Sequence, residues 1–134
     1  MFQVGARDAR LPNKAEVLAM RLSDPEAVQL PKPLAISEAF LRRNPIFHYQ
    51  LSERNLVVIT SRQGANRVYD AGDLRVVGYL DEQRVTDQAG RVWRVDEEAL
   101  MLEADPDVRR LRLPAHRAFW FGWYAQFPQT ELVQ

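Results

Sequence analysis

Residues 115–127 read Ala115-His116-Arg117-Ala118-Phe119-Trp120-Phe121-Gly122-Trp123-Tyr124-Ala125-Gln126-Phe127. Six of these side chains are aromatic, close to half of all the aromatic residues in the chain; none is acidic, and no basic residue follows Arg117. On a helix, His116, Trp120, Trp123 and Phe127 share one face at i, i+4, i+7 and i+11, while Phe121 and Tyr124 point elsewhere. The stretch predicts a C-terminal aromatic helix near residues 115–127, stopped by Pro128. Rings nearly all the way round exceed what a helix with one buried face requires. One reading is ordinary core, with the helix half swallowed by a sheet and Gly122 letting a strand approach. The other leaves Phe121 and Tyr124 for a further surface, because aromatic side chains and Arg are enriched at protein interfaces.

Outward from this stretch the chain reads as β-rich. Glu16 to Leu22 predicts a strand, with Leu18, Met20 and Leu22 on one face, after an irregular lead-in over residues 1–14 closed by Leu11-Pro12-Asn13. Ser23-Asp24-Pro25-Glu26 predicts a turn and Ala27 to Leu30 a returning arm, beyond which Pro31 and Pro33 argue against ladder pairing. Ser37 to Arg43 predicts a short helix near residues 37–44. Ser37 would cap it, Arg42-Arg43 would sit at the C-terminal end of its dipole, and Asn44-Pro45 would end it. Ile46 to Tyr49 and Leu56 to Thr60 predict strands about a polar turn, the second apolar enough to be central. Turn signals at residues 62–66, 71–73, 81–83 and 88–90 separate further strands, with alternation in Arg91-Val92-Trp93-Arg94-Val95. Asp96 to Leu100 suggests a helical turn, Asp105-Pro106-Asp107 a loop, and Leu111 to Leu113 a last strand. The expected class is α+β, an antiparallel meander or small barrel-like sheet with two helices, in a single domain over residues 1–134.

The chain of 134 residues is long enough to bury a core. Eighteen basic and eighteen acidic residues cancel, so general attraction to nucleic acid or anionic membrane is not indicated. Sixteen of the eighteen basic residues are Arg, a bias that genome composition accounts for as readily as bidentate ion pairing. No cysteine is present, which excludes disulfides, thiolate nucleophiles and zinc–thiolate sites and leaves the compartment open. The N-terminus shows no basic region followed by an apolar run, so no signal peptide is expected in this chain.

No catalytic constellation is legible. His48 and His116 are the only histidines, and no HxH or HxxxH spacing points to a metal. Asp96-Glu97-Glu98 lacks the alternating ligands and glycine of a calcium loop. Walker, GxGxxG and GxSxG motifs are absent. Enzymatic function is unsupported, and neither cofactor nor metal is expected. Arg110 and Arg112 share a strand face and, with Arg109, His116 and Arg117, could form a small basic patch, or else a solvated, charge-protected edge. Candidate interaction residues are therefore Phe121, Tyr124, Arg110, Arg112 and Arg117. A pocket between sheet and aromatic helix would draw on His116, Arg117, Trp93 and Tyr69.

Four stretches together resemble a bacterial family, domain of unknown function 3179. They are Leu11 to Leu18; Pro33-Leu34 through Phe40 to Pro45; Val85 to Trp93, carrying a D-x-x-G-x-x-W hairpin; and Leu113-Pro114-Ala115-His116-Arg117-Ala118-Phe119-Trp120-Phe121 to Phe127-Pro128-Gln129-Thr130, the most specific. The resemblance implies a small β-rich domain associated with the cell envelope, without an established activity. Many members carry Cys-x-x-Cys after the central apolar strand; here Ser61-Arg62-Gln63-Gly64 follows Leu56 to Thr60, so that pair's chemistry cannot occur. The expectation is a non-catalytic binding or structural domain, an accessory subunit of a larger assembly with a protein partner. The alternatives are a small-molecule-binding domain or minor enzyme and, third, a peripheral membrane contact. Nucleic acid is not an expected partner.

Overall fold

The structure, a computed structural model, describes residues 10–23 and 31–134. Along the chain, β1 (Glu16–Leu22) and β2 (Lys32–Ser37) precede helix α1 (Glu38–Arg43). A run of strands follows: β3 (Ile46–Leu51), β4 (Arg54–Thr60), β5 (Asn66–Asp70), β6 (Val76–Asp81), β7 (Arg84–Asp87), β8 (Val92–Val95), β9 (Ala99–Leu102) and β10 (Asp105–Leu113). The chain closes with β11 (His116–Phe119), helix α2 (Trp120–Gln126) and β12 (Glu131–Val133). The described residues form two compact units, one from those up to Arg43 together with Ala115 onward, the other from Asn44–Pro114.

The first unit is a four-stranded sheet in the order β11-β1-β2-β12. β1 runs antiparallel to β2 and β11, and β12 runs parallel to β2. Val17 to Met20 and Leu34 to Ile36 are all buried, so these central strands are covered on both faces and read as continuous apolar runs. Val17, Ala19 and Ala35 meet Trp120 and Trp123 of α2. Helix α1 begins as its sequence predicts, with the Phe40 amide donating to Ser37 Oγ at 3.3 Å and Arg42 and Arg43 in the last turn.

The second unit is an eight-stranded, barrel-like sheet in the order β3-β4-β5-β10-β9-β8-β7-β6, antiparallel at every junction. Its inner face collects Val57, Ile59, Tyr69, Val85, Trp93, Leu100 and Leu102. Each such side chain, fully buried, contributes roughly 1.5–3 kcal/mol. The sheet stops just short of closure between β3 and β6, and there a side chain replaces the ladder. The Val76 amide donates to His48 Nε2 at 3.0 Å, and the Val76 carbonyl lies 3.2 Å from the same nitrogen. Tyr79 adds a second tie from β6, its hydroxyl donating to the Thr60 carbonyl at 2.5 Å.

Several expectations are corrected. Residues 116–119 are strand, not helix: the edge of β1 was open, and Val17 to Ala19 take up Ala118 to His116 in an antiparallel ladder. The helix is thereby shortened to Trp120–Gln126. With no side-chain cap at Phe119, its first amides are taken by backbone, Trp120 N–H by Ala15 C=O and Phe121 N–H by Asn13 C=O. The helical turn expected over Asp96 to Leu100 does not form: Ala99–Leu102 is strand β9, because Leu100 and Leu102 alternate into the core. The Asp105-Pro106-Asp107 loop is the irregular start of β10. Pro33 stands within β2 opposite Arg21, near the strand's beginning and beyond the Leu34–Ile36 ladder with β12, where a missing N–H is tolerated. The expected turn at Asp24-Pro25-Glu26 and the arm at Ala27 to Leu30 lie outside the described residues.

Candidate interaction surfaces

In the first unit, strand alternation sends His116 and Ala118 to the face that carries α2, and Arg117 and Phe119 to the other. Trp123 is the better anchored of the two helix tryptophans. Its Nε1 donates to the buried Thr130 Oγ1 at 2.9 Å, and its ring lies between His116, edge-on at 5.7 Å, and Phe127 at 4.5 Å. Trp120 is fully buried, and its indole N–H has no acceptor among the described residues. Tyr124 is half-buried, 5.4 Å from the Trp120 ring, and the Arg10 guanidinium covers both. Phe121 is 40% exposed, and Phe119, which the helical wheel did not single out, is 60% exposed on edge strand β11. Arg117 holds the largely buried Glu38 at 2.7 Å, with Glu16 at 3.8 Å. Of the residues picked for an interaction in this unit, Phe121 is at the surface, Tyr124 belongs half to the core and Arg117 is engaged in an ion pair.

In the second unit the D-x-x-G-x-x-W hairpin has a structural explanation. The Asp87 side chain is fully enclosed and takes four hydrogen bonds, from the Ala89 and Arg91 amides (2.8 and 3.0 Å), Arg91 Nε (2.9 Å) and Trp93 Nε1 (2.9 Å). Burial alone would push its pKa up; the four donors outweigh that and hold it below the ordinary carboxylate range. Gly90 supplies the left-handed turn residue, with φ at +78°. Trp93, fully buried, lies near two guanidinium groups, Arg91 and Arg110, each 5.6 Å from its ring. Tyr69 is equally buried and donates to the Asp96 carbonyl at 2.6 Å; burial pushes its phenol up to about 12. His116 belongs to the first unit, whereas Trp93 and Tyr69 are core residues of the second with no exposed surface.

Arg110 and Arg112 face the same side as Trp93 and are committed there. Arg110 donates to the Ala71 carbonyl and to Asp73, each at 3.0 Å. Arg112 donates to Glu97 at 2.9 Å, and Arg67 grips the same carboxylate. These bonds, Arg67 first and then Arg112, hold the Glu97 carboxyl below its usual range. The opposite face carries an arginine row that the sequence reading passed over. Arg84 stands opposite Arg94, Arg94 opposite Met101, and Met101 opposite Arg109, with Leu111 two residues on and 62% exposed. Strand register, absent from the linear sequence, brings these four side chains into one line.

The exposed Val77 and Leu80 sit at the two register shifts of edge strand β6. Such irregularities blunt an edge against pairing with another strand. Ser61 to Ala65, where the resemblance led one to look for a cysteine pair, is a self-contained turn: Gly64 N–H donates to Ser61 C=O and Ala65 N–H to Ser61 Oγ. Among the described residues no three His, Asp or Glu side chains converge on a metal-sized site, and no helix is long and apolar enough to cross a membrane.

No curated protein and no solved structure matches this chain. A family model does, over residues 1–130, a span that includes the Asp87–Trp93 hairpin and the Pro114–Thr130 segment whose geometry is described above. The chain belongs to the protein family of unknown function DUF3179.

Proposed function

We propose that the protein is a non-catalytic binding domain, an accessory subunit that docks on a protein partner within a larger envelope assembly. The observation that carries this reading is the 60% exposure of Phe119 on an edge strand, beside a helix whose Phe121 is also exposed. A ring left in water forgoes the stabilisation of burial, and aromatic anchors of this kind are enriched where partners meet. The arginines best placed for chemistry, Arg110, Arg112 and Arg117, are spent on internal ion pairs. That favours recognition by shape and apolar contact over catalysis.

The test is a tagged pull-down from the native organism in mild detergent, beside size-exclusion chromatography of the purified chain. A stoichiometric partner is expected, retained by Tyr124→Phe and lost by Phe119→Ser/Phe121→Ser with an unchanged circular dichroism spectrum. If the double variant unfolds as readily as Trp123→Ala, these rings are core and the proposal fails. A folded double variant that keeps its partner overturns it equally.

A further inference from the structure

The arginine row on the outer face of the second unit is a different surface, carried by different observations. Directly opposed residues on neighbouring antiparallel strands have Cβ atoms about 5 Å apart, so Arg84 and Arg94 present like charges side by side. Arg84 is neutralised: Asp81 lies 2.7 Å from its Nε and Glu103 3.4 Å from its Nη1. The Arg94 side chain is exposed and has no ion pair or hydrogen bond among the described residues, and the Arg109 guanidinium has only the Pro106 carbonyl there, at 3.3 Å. Two strand spacings, roughly 10 Å, separate these two cations. The half-buried Met101 fills the space between them, with Val92 and the exposed Leu111 beside the row.

We infer that this face binds a short acidic segment of another protein, its carboxylates on Arg94 and Arg109 and an aliphatic side chain on Met101 and Leu111. The charge count decides the class of partner. Two guanidiniums without an ion pair among the described residues, on a chain of zero net charge, match a pair of carboxylates. A polyanion such as nucleic acid or an anionic bilayer calls for a larger basic field. A methionine between the cations adds an adaptable apolar contact that a phosphate backbone would leave unused.

The experiment is an amide-resolved NMR titration of the full chain with a short peptide of alternating glutamate and leucine. A glutamine-for-glutamate version serves as control, and phosphatidylglycerol vesicles and a single-stranded oligonucleotide as competing probes. Shifts are expected on β8, β9 and β10 around Arg94, Met101, Arg109 and Leu111, weakening as salt is raised. Affinity should fall roughly tenfold for Arg94→Gln/Arg109→Gln and several-fold for Leu111→Ser, with no binding of the glutamine peptide. All three positions are at the surface, and an unchanged amide spectrum elsewhere certifies the fold. Absence of binding up to millimolar peptide, or equal binding by the double variant, overturns the inference. Tighter binding of vesicles or oligonucleotide, lost in the same variant, overturns the assignment to an acidic protein segment.

Discussion

Replacing Asp87 by Asn changes one oxygen to an amide nitrogen and no carbon. In the native hairpin Oδ1 accepts the Ala89 and Arg91 amides, and Oδ2 accepts Arg91 Nε and Trp93 Nε1. Asparagine has a single acceptor oxygen, so in either orientation two N–H groups face an NH2. With the carbonyl kept on the amides, Arg91, half exposed, can turn to water, whereas Trp93 cannot. Loss of the charge-assisted bond to a buried indole costs about 1.5–3 kcal/mol. Weakening the remaining bonds from charged to neutral strength adds more. The expected total is roughly 3–5 kcal/mol, a large part of the ~5–15 kcal/mol that holds a domain together. Urea unfolding of the full chain, followed by circular dichroism, measures it. Trp93→Phe completes a cycle: once Asn stands at 87, removing the indole N–H relieves a clash, so the double variant should cost about 1–2 kcal/mol less than the sum. In acid the sign follows from the depressed carboxyl. The contribution is present above the unfolded carboxylate range near 3.8 and is lost as pH falls through the lower folded value, a dependence that Asp87→Asn should remove. A cost below ~1 kcal/mol, or additivity within about 0.3–0.5 kcal/mol, refutes the reasoning.

Two further expectations follow from buried polar groups. Trp123→Phe loses the bond to Thr130, whereas Trp120→Phe removes a donor that has no acceptor among the described residues, so the first should cost about 1–2 kcal/mol more in chemical denaturation; equal or reversed costs count against it. Burial first, and then Arg75, lower the pKa of His48 against the opposing pull of its bond to Val76. Its stabilisation should be full above the unfolded value near 6.5 and decline as pH falls through the depressed folded value, with an NMR midpoint below 6.5. His48→Phe should flatten that decline, and a midpoint above 6.5 would mean a charged ring donating to the Val76 carbonyl instead.

Local chemistry was legible where neighbours in sequence complete one another. Glu16 to Leu22 forms the strand its apolar run predicts, and Ser37 caps α1 through its own third neighbour. Asp87, Gly90 and Trp93 close their hairpin within seven residues. The start of the aromatic stretch was not legible, because helix and strand both suit Ala115 to Phe119 and the choice is made by the open edge of β1, far away in sequence. The same holds for Ala99 to Leu102, whose acidic prelude looks like a helix start until β8 and β10 flank it. Phe119 was passed over for this reason: on a helix it neighbours Gly122, and on a strand it turns away from α2.

The arginines show the limit most sharply. Period-two alternation says that Arg110 and Arg112 share one face and Arg109 and Leu111 the other, but not which face meets solvent. The phase is set upstream. While β9 steps back one residue from Leu102 to Met101, β10 advances from Asp105 to Arg109, an excursion that accommodates Pro106. Because of that excursion Arg110 falls opposite Leu100 and reaches Trp93, and Arg109 falls opposite Met101 in the outer row. Deleting one residue between Asp105 and Arg109 would leave two outcomes: β10 regains its register by tightening the excursion, or all four side chains change faces. In the second case Leu111 would point inward, two guanidiniums would leave the Trp93 ring and the Glu97 carboxylate, and the acidic-peptide surface would be rebuilt from Arg110 and Arg112. The cost of uncovering those internal ion pairs favours the first, so a deletion variant that folds should keep the native face and the native peptide preference.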